Sequence, residues 1–184
     1  MYKIIKKNEW KSAMWSGGTT NEIFIYPSDS NYAERKFKAR LSIADTTNPE
    51  RAKFTSLPGV DRFISKLDGN MFLEHDTHYE IELEKYQIDR FKGDWETYST
   101  GKFKDFNLML KGVRGDLYFR ALESPCKLHL EHDCNVAFLF LIEGKLSVNN
   151  IELEENDLFY TDSNILETDT KNAKIFYGFI KEWN

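Results

Sequence analysis

Apolar residues recur at every second position in short segments along nearly the whole chain, and no helical period is sustained anywhere. From 37 to 44, Phe37, Ala39, Leu41 and Ile43 fall on one side of an extended strand, and Lys38, Arg40, Ser42 and Ala44 on the other. The stretch 103–111 repeats the pattern. Phe106, Leu108 and Leu110 share one face; Asp105, Asn107 and Met109 share the opposite one. Further strands are expected at 22–26, 60–67, 70–75, 78–84, 86–91, 116–123, 126–132, 135–142, 145–149, 157–161 and 174–181. Turn chemistry separates them: Leu67-Asp68-Gly69-Asn70, Lys92-Gly93-Asp94, Glu143-Gly144-Lys145, Asn149-Asn150 and Glu155-Asn156-Asp157. Pro58-Gly59 adds a type II turn signal. Helix evidence is poor: the segment 48–53 could form one turn at most, because proline is tolerated at a first helical position. The polar run 28–36 reads as a surface loop. An aromatic content of 15% suits pleated, half-buried surfaces. Many short strands in succession imply a sandwich or a barrel.

Composition removes several function classes. The chain has 184 residues, 41% of them hydrophobic, enough for a sizeable core in one or two domains. Its 25 Lys+Arg are interspersed with 30 Asp+Glu, which argues against a nucleic-acid partner. No apolar run approaches the ~20 residues that span a bilayer. The start, Met1-Tyr2-Lys3-Ile4-Ile5-Lys6-Lys7, lacks the apolar core of a secretory signal, so a cytoplasmic location is expected. Cys126 and Cys134 are too few for a disulfide scaffold and read as reduced thiols.

A weak internal echo suggests how the strands are organised. Leu67-Asp68-Gly69-Asn70-Met71 and Ile142-Glu143-Gly144-Lys145-Leu146 each follow a hydrophobic strand. After each come a short strand, a turn, another strand and an aspartate. This cadence is common in the cupin fold. The expected fold is therefore an all-β, double-stranded β-helix of the RmlC-like cupin kind with two lobes. The lobes are expected at 1–110 and 111–184, joined around Lys111-Gly112-Val113-Arg114-Gly115, with strands exchanged so that both form one unit.

Motifs for familiar chemistry are sparse. His75 and His78 are three apart, as are His129 and His132, whereas a strand places i and i+2 on one face. Surface or turn histidines are therefore expected, with no metal and no cofactor. No Gly-x-Ser-x-Gly occurs. Trp15-Ser16-Gly17-Gly18-Thr19-Thr20 lacks the lysine of a phosphate loop and reads as a tight turn before a strand. The polar faces of Arg40 with Ser42, and of Asp105 with Asn107, have two readings. They meet bulk water, or they line a barrel interior kept for one ligand. Arg62, between Val60 and Ile64 on its face, either snorkels or pairs with a carboxylate, and the pairing is the expectation.

Five motifs then occur in order: Trp15-Ser16-Gly17-Gly18-Thr19-Thr20; Phe37-x-x-Arg40-Leu41-Ser42-x-Ala44; Phe54-Thr55-x-Leu57-Pro58-Gly59-Val60-x-Arg62; Phe91-x-Gly93-Asp94-Trp95; and Asp105-Phe106-Asn107-Leu108-Met109. Over roughly residues 10–110 the chain resembles the HutD/Ves family of bacterial cupin-like proteins in its shorter Gram-positive form. The resemblance implies a two-lobed cupin without a conventional metal centre. Members tied to histidine utilisation are implied to bind a small pathway intermediate and moderate its degradation; others are linked to stress responses. With the resemblance, a pocket is expected near Trp15, Thr19, Glu22, Arg40, Ser42, Arg62, Asp105 and Asn107. Arg40 is expected to anchor an anion, Asn107 to orient it and Trp15 to form an apolar wall, while Glu22 and Asp105 hold the arginines. The partner is then a small organic anion, and the protein, a monomer or homodimer, is a binding module rather than an enzyme. The alternative is a hydrolase or isomerase of small organic acids with Glu22 or Asp105 as its base.

Overall fold

The computed structural model describes residues 1–182, and its alternating segments form seventeen strands. They are β1 (Tyr2–Ile5), β2 (Lys11–Trp15), β3 (Gly18–Tyr26), β4 (Ala39–Thr46), β5 (Ala52–Lys53), β6 (Val60–Gly69), β7 (Phe72–His75), β8 (Tyr79–Glu82) and β9 (Ile88–Lys92). β10 (Thr97–Thr100), β11 (Phe103–Lys111), β12 (Val113–Leu122), β13 (Cys126–His129), β14 (Val136–Val148), β15 (Ile151–Leu153), β16 (Leu158–Thr161) and β17 (Ile165–Glu182) follow. The helices among the described residues are single 3-10 turns at Lys7–Glu9 and Tyr32–Glu34. The protein is all-β, as its two-residue rhythm requires.

The chain divides into two compact units, Lys11–Gly112 and Met1–Trp10 together with the chain from Val113 onward. The first ten residues join the second unit because β1 pairs antiparallel with β16. Trp183 and Asn184, which close the expected 111–184 lobe, lie outside the described residues. Within Lys11–Gly112, one sheet runs β2-β3-β4-β11-β6-β9 and another β5-β10-β7-β8. The other unit has a seven-stranded sheet in which β17 pairs with β12, β13 and β14. Its strand runs back to Ile165, well before the expected start at 174. Leu166, Thr168 and Thr170 face inward, while charged Glu167, Asp169 and Lys171 mask the alternation in a hydropathy reading.

The internal echo is real in bonding detail. Tyr86 N–H donates to Lys66 O at 2.8 Å, and Asn156 N–H to Leu141 O at 2.8 Å. Gln87 Oε1 accepts from Glu84 N–H at 2.9 Å, and Asp157 Oδ2 from Glu154 N–H at 2.8 Å. Gly69 and Gly144 both have positive φ, +79° and +98°. A Cβ on either would lie 2.2 Å from a carbonyl oxygen, of Lys102 or of Asn172. These glycines were expected to make turns. Gly69 does end β6, at the connection to β7, while still paired with β11; Gly144 instead lies inside β14 and lets it bend while paired with β17.

The one helical turn that 48–53 could form is absent. Asn48 Oδ1 accepts from Glu50 N–H at 3.1 Å, closing a side-chain turn, and Ala52–Lys53 pairs with Tyr98 and Ser99. Pro58-Gly59 forms its turn, with Val60 N–H donating to Leu57 O.

Candidate functional site

Three neighbouring strands of the Lys11–Gly112 unit present a polar face. β11 lies between β4 and β6, so Ser42, Asn107 and Ile64 form one cross-strand row. Arg40, Met109 and Arg62 form a second; Ala44, Asp105 and Lys66 a third. Directly opposed residues share a face. The alternate residues Leu41, Ile43, Phe106, Leu108 and Leu110 are buried on the other side. Arg40, Ser42, Arg62, Asp105 and Asn107 thus line one cavity of about 360 Å³. Trp15, Thr20, Tyr32 and Phe54 complete its wall.

The two arginines differ sharply. Arg40 Nε donates to Glu22 Oε2 at 2.8 Å and its Nη1 to Ser42 Oγ at 3.2 Å. Its guanidinium lies 4.1 Å from the Tyr32 ring centroid. Arg40 is therefore held and neutralised. Arg62 has no carboxylate at ion-pair distance among the described residues, and its Nε is buried without a partner. Phe54 and Phe91 rings face its guanidinium at 4.6 and 5.2 Å. The carboxylate pairing expected for Arg62 is not made; two aromatic faces flank the guanidinium instead. Burial lowers its pKa from the usual value to about 10, with Arg40 adding to the effect.

Asp105 does not hold an arginine by a direct bond either. Burial raises its pKa to about 7, against the opposing pull of Arg62. Asn107 Oδ1 is buried without a hydrogen bond. Trp15 is 44% exposed and stands at the cavity rim, its ring lying where a side chain on Gly17 would be. Glu22 acts through Arg40. Thr19 does not line the cavity; strand alternation gives that place to Thr20, opposite Ala44. Sequence reasoning missed Tyr32, because the loop 28–36 looked uniformly polar, and Phe54, because its role needs β5 and β6 together.

The histidine reading needs one correction. His75 is buried, not at the surface or on a turn. Its Nε2 lies 2.8 Å from Asp89 Oδ2 and its Nδ1 2.8 Å from Thr97 Oγ1. Tyr79 OH donates to Asp89 Oδ1 at 2.7 Å. Two polar partners satisfy the imidazole, and Tyr79 in turn holds Asp89, in an aromatic setting that the three-residue spacing to His78 could not reveal. His78 itself is exposed and stacks on Trp95. Among the described residues, no group of three or more His, Cys, Asp or Glu side chains is placed to hold a metal. A cavity with two guanidinium groups is also a poor cation site.

The HutD family model matches residues 3–176. HutD from Pseudomonas fluorescens SBW25 shares 22% identity with full coverage of both chains and a TM-score of 0.81. The conserved protein PA5104 of Pseudomonas aeruginosa PAO1 shares 23%, again with full coverage, at 0.82. The Escherichia coli pirin YhhW, solved in complex with nickel(II), shares 9% over the full length of both chains at 0.74. No curated protein matches the chain. No described helix is long and apolar enough to cross a membrane. The fold is cupin-like, and the chain belongs to the HutD family.

Proposed function

We propose that the Lys11–Gly112 unit binds a small organic anion in its polar cavity, without a metal, and that Arg62 is the anchor. The supporting observation is a guanidinium that is buried, lacks a carboxylate partner and opens onto the cavity. An unpaired buried charge is strongly destabilising unless something compensates it. A ligand carboxylate answers that need with charge-assisted hydrogen bonds. Arg40 had been expected to anchor the anion, but Glu22 already occupies it, and Arg62 takes the role here. Asn107 offers an amide to orient the ligand; Trp15 and Tyr32 give it apolar walls.

The protein then serves as a binding, regulatory or accessory module rather than a catalyst. Membership of the HutD family supports a small acid of histidine-type amino-acid catabolism as the ligand class. A thermal-shift screen of short carboxylates, followed by calorimetry with propionate, tests this reading. Propionate is expected to raise the melting temperature of the wild type and to have no effect on Arg62→Met. A stable wild-type protein that ignores every acid in the screen would overturn the reading.

One observation favours an enzyme instead. Asp105 faces the cavity with a pKa near neutrality, as a general base requires. Consumption of a bound acid by the wild type, abolished in Asp105→Asn, would decide for a hydrolase or isomerase.

A further inference from the structure

We propose that the cavity takes up its anion together with one proton, and that Asp105 receives that proton. This rests on the anion-binding reading and deepens it. Asp105, Asn107 and Arg62 are 4%, 6% and 6% exposed. None of the three side chains makes a hydrogen bond or ion pair with any described protein group. All three line the same cavity. Buried polar side chains are nearly always partnered, so three bare ones on one surface point to a ligand that completes them.

The charge arithmetic then requires a proton. In the empty cavity Asp105 partly offsets Arg62 through space. Among the groups that line the cavity, a carboxylate docking on Arg62 puts two anions beside one unpaired cation; Lys66, opposite Asp105 on β6, is not part of the lining. Like charges sharing such a site do not both stay ionised. The proton comes from solvent and bonds to a carboxylate oxygen of Asp105; the new O–H donates to the bound anion. No covalent bond to the ligand forms or breaks.

The surroundings single out Asp105. The charged and titratable groups around it are Arg62 and Lys66 on β6, Arg40 and Asp45 on β4, Glu22 on β3, Lys53 on β5 and Tyr32 in the preceding loop. Glu22 is committed to Arg40, and Lys53 to Glu96 at 2.9 Å. Asp45 is half exposed, 3.8 Å from Lys104, and raises Asp105 further. Burial has already brought Asp105 to about 7, so one further negative charge completes its protonation at neutral pH.

Propionate calorimetry between about pH 6 and about pH 8.5 tests this, since propionate stays ionised throughout. Above neutrality the wild-type affinity is expected to fall towards tenfold per pH unit, the slope of one linked proton. Repeating the titration in buffers of different ionisation heat should count nearly one proton taken up per propionate at about pH 8.5, and about half a proton at about pH 7, where Asp105 is already half protonated. In Asp105→Asn the count falls to zero and the pH dependence disappears. Carboxyl-carbon NMR of wild-type Asp105 should show its midpoint rise on adding propionate, which needs no variant to fold. Arg62-dependent binding with no proton uptake and an unmoved midpoint overturns this proposal alone. No wild-type binding at any pH overturns it along with the anion reading.

Discussion

Counting strand positions from the paired glycines aligns the two units residue by residue. Gly69 pairs with Phe103, and Gly144 with Ala173. Stepping back along the strands, Lys66 with Asp105 corresponds to Leu141 with Ile175. Ile64 with Asn107 corresponds to Leu139 with Tyr177, and Arg62 with Met109 to Ala137 with Phe179. On the next strand over, Ser42 corresponds to Tyr118, whose ring sits 5.2 Å from that of Tyr177. Leu139, Leu141, Ala173, Ile175 and Phe179 belong to one apolar cluster. One unit fills this face with apolar side chains around Leu139, Leu141 and Ile175, leaving only an open cleft beside Tyr118, Tyr177 and Phe179, and the other lines it with polar groups around a cavity. The glycines, turns and register that build the sheet are common to both, so the cavity depends on side-chain choice at a few positions.

The filled unit should suffer most from truncation. Leu139→Ala removes a fully buried side chain from a packed cluster and is expected to destabilise by about 2–5 kcal/mol, read by urea unfolding. Its counterpart Ile64 borders the cavity, where space already exists, so Ile64→Ala should fall at the low end of that range. Equal losses at the two sites would mean that the cavity is as tightly packed as the cluster.

The glycine pair tests the shared part of the design. Gly69→Ala and Gly144→Ala each place a methyl against a carbonyl at a positive φ. Each should destabilise by about 1–3 kcal/mol, and by similar amounts. A marked asymmetry in denaturation midpoints would show that the two positions are not equivalent.

Arg62→Met asks the reverse question. Burial without an acid lowers the guanidinium pKa to about 10, so the charge, still present at neutral pH, costs the folded state stability. Replacing a buried ionic group by an apolar one of similar volume is often neutral, or stabilising by about 1–4 kcal/mol. The variant should therefore match or exceed the wild type in stability while losing anion binding, the mark of a residue kept for function. A large loss of stability would instead mean that the Phe54 and Phe91 stacking makes Arg62 structural.

These contrasts explain what could be read before the structure. The all-β class, the polar face of Arg40, Ser42, Asp105 and Asn107 and the Gly69/Gly144 echo were legible, because each depends on local alternation or turn chemistry. Partner choice was not. That Glu22 pairs with Arg40 while Arg62 stays bare depends on which strands are neighbours. His75 was hidden for the same reason, since Asp89 and Thr97 reach it from other strands. Tyr32 was missed because one aromatic in a polar loop carries no period. Thr19 and Thr20 differ by a single step of alternation, and the Gly17-Gly18 turn sets which one faces inward.

Two buried aspartates, one in each unit, give the finest contrast. Asp157 accepts from Lys6 Nζ at 2.7 Å and from Glu154 N–H at 2.8 Å. Asp105 has neither kind of partner. The folded-state pKa of Asp105, about 7, lies above the ordinary carboxylate value, so between about pH 4 and about pH 7 the folded state holds more protons than the unfolded chain. Its contribution is favourable at the acid end of that window and is lost as the pH rises through about 7. Asp105→Asn mimics the neutral acid at every pH. It should match the wild type near pH 4 and exceed it near pH 8 by about 1–3 kcal/mol, with cavity water screening part of the effect. Asp157→Asn should do the opposite and weaken the fold at neutral pH, because it strips Lys6 of its nearer, buried acid and leaves only Glu154 at 3.3 Å. Urea unfolding of both variants at several pH values separates the cases. If the Asp105→Asn difference were constant with pH, the carboxylate would be well hydrated in the folded protein, and the unit with the cavity would owe its pH response to another group.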